Sequence, residues 1–505
     1  MKTHSSNWIL ALQSNSMLNW GSLLSGSLCS LSFAPFGIWP LALAAYAFLF
    51  HAIYSAKLIR QKLFRGLLFG LGKFSVGTVW LLDALISHAG STRLTAVFVF
   101  LLLIVLLAVL FCLACGFALQ LKSKIAASLL LAGTMCTHEI LISFPIGFSF
   151  PLLHIGYAFV DTPISTYAPI GGVWLVGYVA LFSATSICFA FYKSFAPILI
   201  AACLWLASLP LGIINWTREG TEIDVVLVQA NTSTSEQMDN NEVQEIWNDH
   251  VQLTITDSSA DLYVWPESSI PITVDALQSN LDEISTKLQG SLVIGTFEQE
   301  RSGSVVKTYN VATVAGPELV NYRKQQLVPF GEYTPRLWLL TPLLERVDYP
   351  TAHVSSGSTS DGLLPTSHAI AKVTICYEIA YPLLVNKHIQ NSDLVIALNA
   401  DAWFGESIGP WQQLQIAQMR ARETGRFLLR VSNVGPTAIV APNGTVRTTL
   451  PTNTPDALNG RVHIRKGSTM FSKLGLLPIG SILLFSFLVP LAILNLTQRS
   501  TSSGQ

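Results

Sequence analysis

The chain has 505 residues, half of them hydrophobic and only 12% charged, with 30 basic and 30 acidic side chains. A water-soluble chain of that length carries about twice the charged share, and a disordered chain needs the opposite balance, so both classes are excluded. A net charge of zero gives nucleic acid nothing global to bind. The average conceals a split: residues 1–215 hold 13 charged side chains, residues 216–472 hold 45 with a net charge of −9, and residues 473–505 hold two. This predicts an N-terminal membrane region over 1–215, a water-soluble domain over 216–472, and a last membrane helix with a short tail over 473–505.

In chain order, apolar runs suited to the roughly 20 helical residues that cross a bilayer core lie near 20–35, 37–55, 64–86, 94–120, 125–145, 168–192 and 195–215, with an eighth over 474–496. Pro35 and Pro40 separate the first two. The runs follow one another without a processing site, unlike a cleaved signal peptide. Basic residues in short loops set orientation. With the N-terminus inside, the inner loops hold Lys2, Lys57, Arg60, Lys62, Arg65, Lys122, Lys124, Lys193 and Arg499, and the outer ones hold Arg93. Both termini are therefore expected in the cytoplasm and the soluble domain outside it. Within the runs, Lys73 and Asp83 are expected on one helix, about 15 Å apart by helical rise, and His138 and Glu139 late in the fifth helix. Intramembrane ionisable groups are functional candidates, though snorkelling or pairing between helices is the favoured reading here over a direct role with headgroups.

Residues 220–472 alternate strand-like and helix-like stretches: strands over 223–229, 261–265, 292–295, 369–375, 394–398, 427–431 and 436–440, and helices over 240–256, 275–288 and 409–425. Apolar strands of this length separated by helices indicate an α/β domain with buried sheet faces. Six of the seven cysteines, Cys29, Cys112, Cys115, Cys136, Cys188 and Cys203, fall in apolar runs and read as small hydrophobes; Cys376 is the single cysteine of the soluble domain. Glu267 follows Trp265-Pro266, Lys324 lies in Tyr322-Arg323-Lys324-Gln325-Gln326, and Cys376 opens Cys376-Tyr377-Glu378. Each sits where a strand gives way to a loop. Together, a carboxylate, an ammonium and a thiol make an activated nucleophile: the base takes the thiol proton, the sulfur attacks a carbonyl and the cation holds the oxyanion. Taken singly, each is as well explained as a turn residue, a solvated lysine or a buried small side chain.

The three segments in this order resemble the nitrilase superfamily, whose members carry a Glu–Lys–Cys triad on an α/β/β/α sandwich. The added membrane region resembles one branch, the bacterial apolipoprotein N-acyltransferases, and the likeness spans nearly the whole chain. It rests on Leu31-Ser32-Phe33-Ala34-Pro35-Phe36-Gly37-Ile38-Trp39-Pro40, Ala168-Pro169-Ile170-Gly171-Gly172-Val173, Leu327-Val328-Pro329-Phe330-Gly331-Glu332-Tyr333, and Asn399-Ala400-Asp401-Ala402-Trp403-Phe404-Gly405. The resemblance implies Glu267 as general base, Lys324 as oxyanion stabiliser and Cys376 as nucleophile, with Glu332, Tyr377 and Glu378 supporting them, and Met238, Trp403 and Phe404 at the substrate. It implies about eight membrane helices carrying an extracytoplasmic sandwich in a bacterial inner membrane. The implied reaction passes an acyl group from a phospholipid, through a thioester on Cys376, to the N-terminal amine of a diacylated apolipoprotein. A monomer is expected, with no cofactor, no metal and no nucleic acid partner, because the ester already activates the acyl group. Two departures touch substrate handling: Met238 and Leu152 stand where the family tends to have Trp. A membrane-anchored amidase or other nitrilase-type hydrolase and a non-enzymatic lipoprotein-binding scaffold are the alternative readings.

Overall fold

The computed structural model describes residues 15–87, 92–144, 149–232, 239–256, 258–303, 305–316, 320–329, 331–333, 354–358 and 362–502; Met238 lies outside them. The chain divides into two compact units, one of residues 1–82, 93–214 and 476–505, the other of residues 83–92 and 215–475.

The helices that precede the sheets are α1 (Asn15–Cys29), α2 (Trp39–Tyr54), α3 (Ile59–Gly77), α4 (Trp80–Ser87), α5 (Arg93–Cys115), α6 (Lys124–Leu141), α7 (Ala168–Ala190) and α8 (Ala196–Leu211). Among the described residues, three helical stretches are long and apolar enough to cross a membrane: Arg93–Cys115, Pro163–Ala190 and Leu477–Leu496. There are four if the bent pair of α3 and α4 makes one span. The remaining apolar runs fold as helices of 15 to 18 residues. The single helix expected over 64–86 is broken. Thr78 leaves helical geometry at φ −124°, ψ 19°, its hydroxyl donates to the Phe74 carbonyl at 2.7 Å, and the two segments meet at 59°. Glycine and β-branched residues hold helix weakly, and such a hydroxyl competes for the backbone's own acceptor. Lys73 and Asp83 therefore do not share a straight helix. Within α7, Gly172 takes φ +68°, a conformation open to glycine, and kinks the helix inside the Gly171-Gly172 motif.

The bundle buries polar groups beside its apolar ones. Arg65, expected among the loop charges, is buried within α3, where its guanidinium donates to Asn15 Oδ1, Asn19 Oδ1 and the Ala52 carbonyl. Lys73 Nζ donates to Tyr46 Oη at 3.1 Å and lies over the rings of Tyr46, Phe74 and Phe111. Glu139 accepts the Ile155 N–H at 2.9 Å, and His138 packs edge-on against Phe111. These contacts agree with pairing between helices.

The second unit carries β1 (Thr217–Gln229), α9 (Asn240–Ile255), β2 (Leu262–Val264), α10 (Val274–Lys287), β3 (Ser291–Ser302), β4 (Val305–Val314), β5 (Val320–Arg323), β6 (Leu363–Pro365), β7 (Ile370–Ile375), α11 (Pro382–Asn386), β8 (Leu394–Asn399), α12 (Gly409–Thr424), β9 (Leu428–Ser432), β10 (Ala438–Val440), β11 (Val446–Thr449) and β12 (Asp456–Gly467). Two sheets of six result, in the orders β12-β1-β2-β3-β4-β5 and β11-β10-β9-β8-β7-β6. The centre of each is parallel and the margins are antiparallel.

Alternation along the strands makes the layers. Ile223, Val225, Leu227, Val264 and Val293 of the first sheet share a core with Val373, Ile375, Ile396, Leu398 and Val431 of the second. The residues between them, Val226, Val228, Tyr263, Leu292 and Ile294, point outward onto Ile246 and Trp247 of α9 and Leu277, Leu281 and Ile284 of α10. Helix α9 starts at a capping box: Asp239 Oδ1 accepts the N–H groups of Asn241 and Glu242, and Glu242 answers on the Asp239 N–H. Helix α12 has Pro410 in its first turn and stops at Gly425, at φ +65°. The chain closes with α13 (Met470–Leu474) and α14 (Leu477–Ser502).

Candidate active site

Glu267, Lys324 and Cys376 all emerge just beyond strand ends: three residues after β2, one after β5 and one after β7. Strands β2 and β7 belong to the parallel centres, and β5, two antiparallel pairings on from β3, runs in the same sense as β2. Lys324 Nζ donates to Glu267 Oε1 at 3.1 Å and to Glu332 Oε1 at 2.8 Å. All three side chains are buried. Asn310, on β4, donates its amide to Glu267 Oε1 at 2.7 Å, and the Ala400 N–H donates to Oε2 at 2.9 Å. Glu332 is held in turn by the Val328 N–H at 2.7 Å. Both oxygens of the Glu267 carboxylate are thus held in fixed directions.

Cys376 is the first residue after β7, with φ +52°. A non-glycine residue in that region stores about 1–3 kcal/mol of backbone strain and is held there only when its surroundings insist. Glu378 supplies much of that insistence. Its Oε1 accepts from Tyr322 Oη (2.8 Å), the Gln325 N–H (2.6 Å) and the Gln326 N–H (3.1 Å), while Oε2 accepts the Ile375 N–H (2.9 Å). One buried carboxylate therefore ties the loop bearing Lys324 to the turn bearing Cys376. Tyr377 packs its ring edge-on against Tyr381, with centroids 5.3 Å apart. Trp403 and Phe404 lie in the short turn Asp401–Phe404 that begins just after Ala400.

The electrostatics follow from burial and from an excess of one negative charge. Burial pushes the Cys376 thiol well above its ordinary range; the charges of Glu267, Glu332 and Asp401 add to this, and Lys324 opposes it. Burial likewise raises Glu267, whereas Lys324 and a hydrogen bond with the Cys376 side chain pull it down. Burial alone would lower Lys324, but the charges of Glu267 and Glu332 outweigh it, and the ammonium is held well above its ordinary value. Cys376 therefore rests as a neutral thiol, not as a stored thiolate. Among the described residues no group of three or more His, Cys, Asp or Glu side chains is placed to hold a metal ion.

The residues that the sequence reading missed are Asn310, Tyr322 and the Ala400 amide. Asn310 sits mid-strand on β4, a strand absent from that reading, and an asparagine facing inward in an apolar alternation was the available signal. A backbone amide leaves no mark in a sequence.

The sequence model described as carbon–nitrogen hydrolase matches residues 225–463, which take in strands of both sheets. The model of the apolipoprotein N-acyltransferase N-terminal domain matches residues 25–186. Whole-length relatives agree. The apolipoprotein N-acyltransferase of Pseudomonas syringae pv. tomato is 32% identical, over 87% of this chain and 90% of its own. That of Pseudomonas paraeruginosa is 31% identical over 91% and 93%, and that of Azotobacter vinelandii is 31% identical over 89% and 90%. The chain belongs to the apolipoprotein N-acyltransferase family.

Proposed function

We propose that the chain transfers an acyl group from a phospholipid to the α-amine of the S-diacylglyceryl cysteine at the N-terminus of an apolipoprotein, through a thioester on Cys376. The observation that carries this reading is the buried Lys324 ammonium clamped between Glu267 and Glu332, with the Cys376 turn tied to the same loop by Glu378. Glu267 takes the thiol proton as the sulfur attacks the ester carbonyl. Lys324 has three N–H bonds; two go to carboxylates, and the third serves the developing oxyanion. Collapse expels the lysophospholipid alkoxide, which recovers the proton from Glu267. The acceptor amine then adds to the thioester, gives a proton to Glu267 and releases Cys376 as its thiol. Glu378, Glu332 and Tyr377 hold this frame, and Trp403, Phe404 and Met238 meet the lipids. The reaction needs no metal or diffusible cofactor, since the ester is already activated.

Both substrates reside in a bilayer, which suits a chain whose residues 1–215 hold only 13 charged side chains and seven apolar runs, with an eighth over 474–496. The loop-charge asymmetry supports an inner-membrane protein with both termini cytoplasmic and the catalytic domain, residues 216–472, outside. A reporter active only outside the cytoplasm should be on when fused after Ser472 and off at the C-terminus; the reverse pattern would overturn this topology.

The chemistry is tested by mass spectrometry of protein purified from membranes. An acyl adduct should map to Cys376, decay on adding a diacylated lipopeptide, and be absent in Cys376→Ala, which should retain no more than a few per cent of transfer. An adduct that water clears as fast as the lipopeptide does would identify a hydrolase instead.

A further inference from the structure

The turn that follows β8 holds a buried ion pair that takes no part in the chemistry above. Asp401, fully buried, places both carboxylate oxygens on Arg430 Nη2, at 2.9 and 2.7 Å. Arg430 is buried too. It stands on β9 in register with Ala397 of β8, and its Nη1 donates to the Pro436 carbonyl. On its far side, the Asp401 carboxylate lies against the backbone of Gly435: a Cβ built there would fall 1.9 Å from Oδ2. The Gly435 N–H is pinned by Ser432 Oγ at 3.0 Å. The carboxylate is thus held by Arg430 and packed closely against Gly435. Its peptide neighbour is Ala400, whose N–H holds Glu267 Oε2.

We propose that Asp401, clamped by Arg430 and seated on Gly435, is a positioning residue that aims the Ala400 N–H at Glu267 and so fixes the orientation of the base. The proposal rests on the reading of Glu267 as base and Cys376 as nucleophile. A bidentate, fully buried pair defines direction as well as distance, which a lone surface charge does not. A carboxylate that takes a proton from one atom and returns it to another is sensitive to misplacement, since about 1 Å of drift at a reacting group can cost on the order of 100-fold.

The pair also adds a charge near the thiol, and that supplies a readout which mere scaffolding would not move. The charged groups facing Cys376 are Glu267, Lys324, Glu332 and Asp401. Alkylation of Cys376 by iodoacetamide, followed peptide by peptide against pH in the detergent-solubilised full chain, reports its titration. Asp401→Asn removes a negative charge and should move that titration to lower pH, with kcat reduced about 10- to 100-fold and KM for both substrates little changed. Arg430→Gln should move it the other way. Removing Arg430 takes away the counter-charge that offsets Asp401 at the thiol. Arg430→Lys and Gly435→Ala keep both charges while disturbing the clamp. They should lower kcat with the titration unmoved, and they carry the test if the charge-changing variants fail to fold.

Shifts of the same sign in Asp401→Asn and Arg430→Gln would mean simple loosening of the fold and would overturn the proposal. So would full kcat in both Arg430→Lys and Gly435→Ala. Because the titration reads the thiol whether or not it ever carries an acyl group, absence of an adduct in the unmodified protein would refute the nucleophile assignment separately.

Discussion

Each of the two units buries a lysine, and they do so by opposite means. Lys73, in the helical unit, meets one phenol oxygen and the faces of three aromatic rings. Lys324, in the sheet unit, meets two carboxylates within 3.1 Å. A neutral, polarisable nest can house a cation without committing any other charge. A cation between two anions commits three groups to one geometry, and the leftover negative charge reaches the adjacent thiol. Burial of an ionisable group is therefore not by itself a mark of catalysis; what distinguishes the two sites is whether the partner is also charged and also reactive.

The largest effects expected from this contrast are at the charged cluster. Lys324→Met should slow both half-reactions about 100- to 1,000-fold, since an oxyanion forms in each. It also leaves Glu267 and Glu332 facing each other without a cation, a loss of roughly 3–5 kcal/mol of stability, readable as a lower unfolding temperature in detergent. Glu267→Gln should block adduct formation; a normal adduct level in this variant would point to another base. The titration of the thiol reads the sign of each neighbouring charge. Glu267 raises it and Lys324 lowers it, so alkylation of Cys376 should titrate at lower pH in Glu267→Gln and at higher pH in Lys324→Met. Equal shifts would break the electrostatic account. At Lys73 the expectation is smaller: Lys73→Met replaces a buried cation held by one phenol oxygen and three rings with an apolar chain of similar reach, and should change stability by no more than about 1 kcal/mol, in either direction. Acyl transfer should stay within about twofold. A tenfold loss there would show that the two lysines are not so different. The smallest effect is expected at Met238. Met238→Ala should weaken donor use by about 1–2 kcal/mol, or 5- to 30-fold, the loss expected for truncating a single apolar side chain that meets the donor. Met238→Trp should preserve or raise activity with an altered donor preference, measured with at least two phospholipids.

Much of this site was legible in the sequence because its chemistry sits at strand ends, and strand ends are marked locally: an apolar run, then Pro266 before Glu267, or Tyr377-Glu378 after Cys376. The frame around it was not. Strand β12 is polar at alternate positions, includes Gly460 and several charges, and finds its partner in β1 more than two hundred residues earlier. Nothing in its own sequence announces that pairing. Asn310 was lost with β4, and the break at Thr78 was hidden inside an apolar run long enough to read as one helix. Apolar length predicts that a segment is buried, not that it is straight.

The pairing of β1 with β12 sets the order in which the domain can be completed during synthesis. The first strand made lies antiparallel to the last, with Thr217 opposite Gly467 and Gln229 opposite Asp456. Until residue 467 has left the ribosome, one side of β1 has no neighbour, and an unpaired strand edge is where a nascent chain is most exposed to wrong partners. Once the last strand docks, the two ends of the domain emerge side by side. A module with adjacent ends can be spliced into a host chain as a cassette at a single point. In this chain the hosts are the helices on either side, α8 and α14, and the sheet domain is the insertion between them.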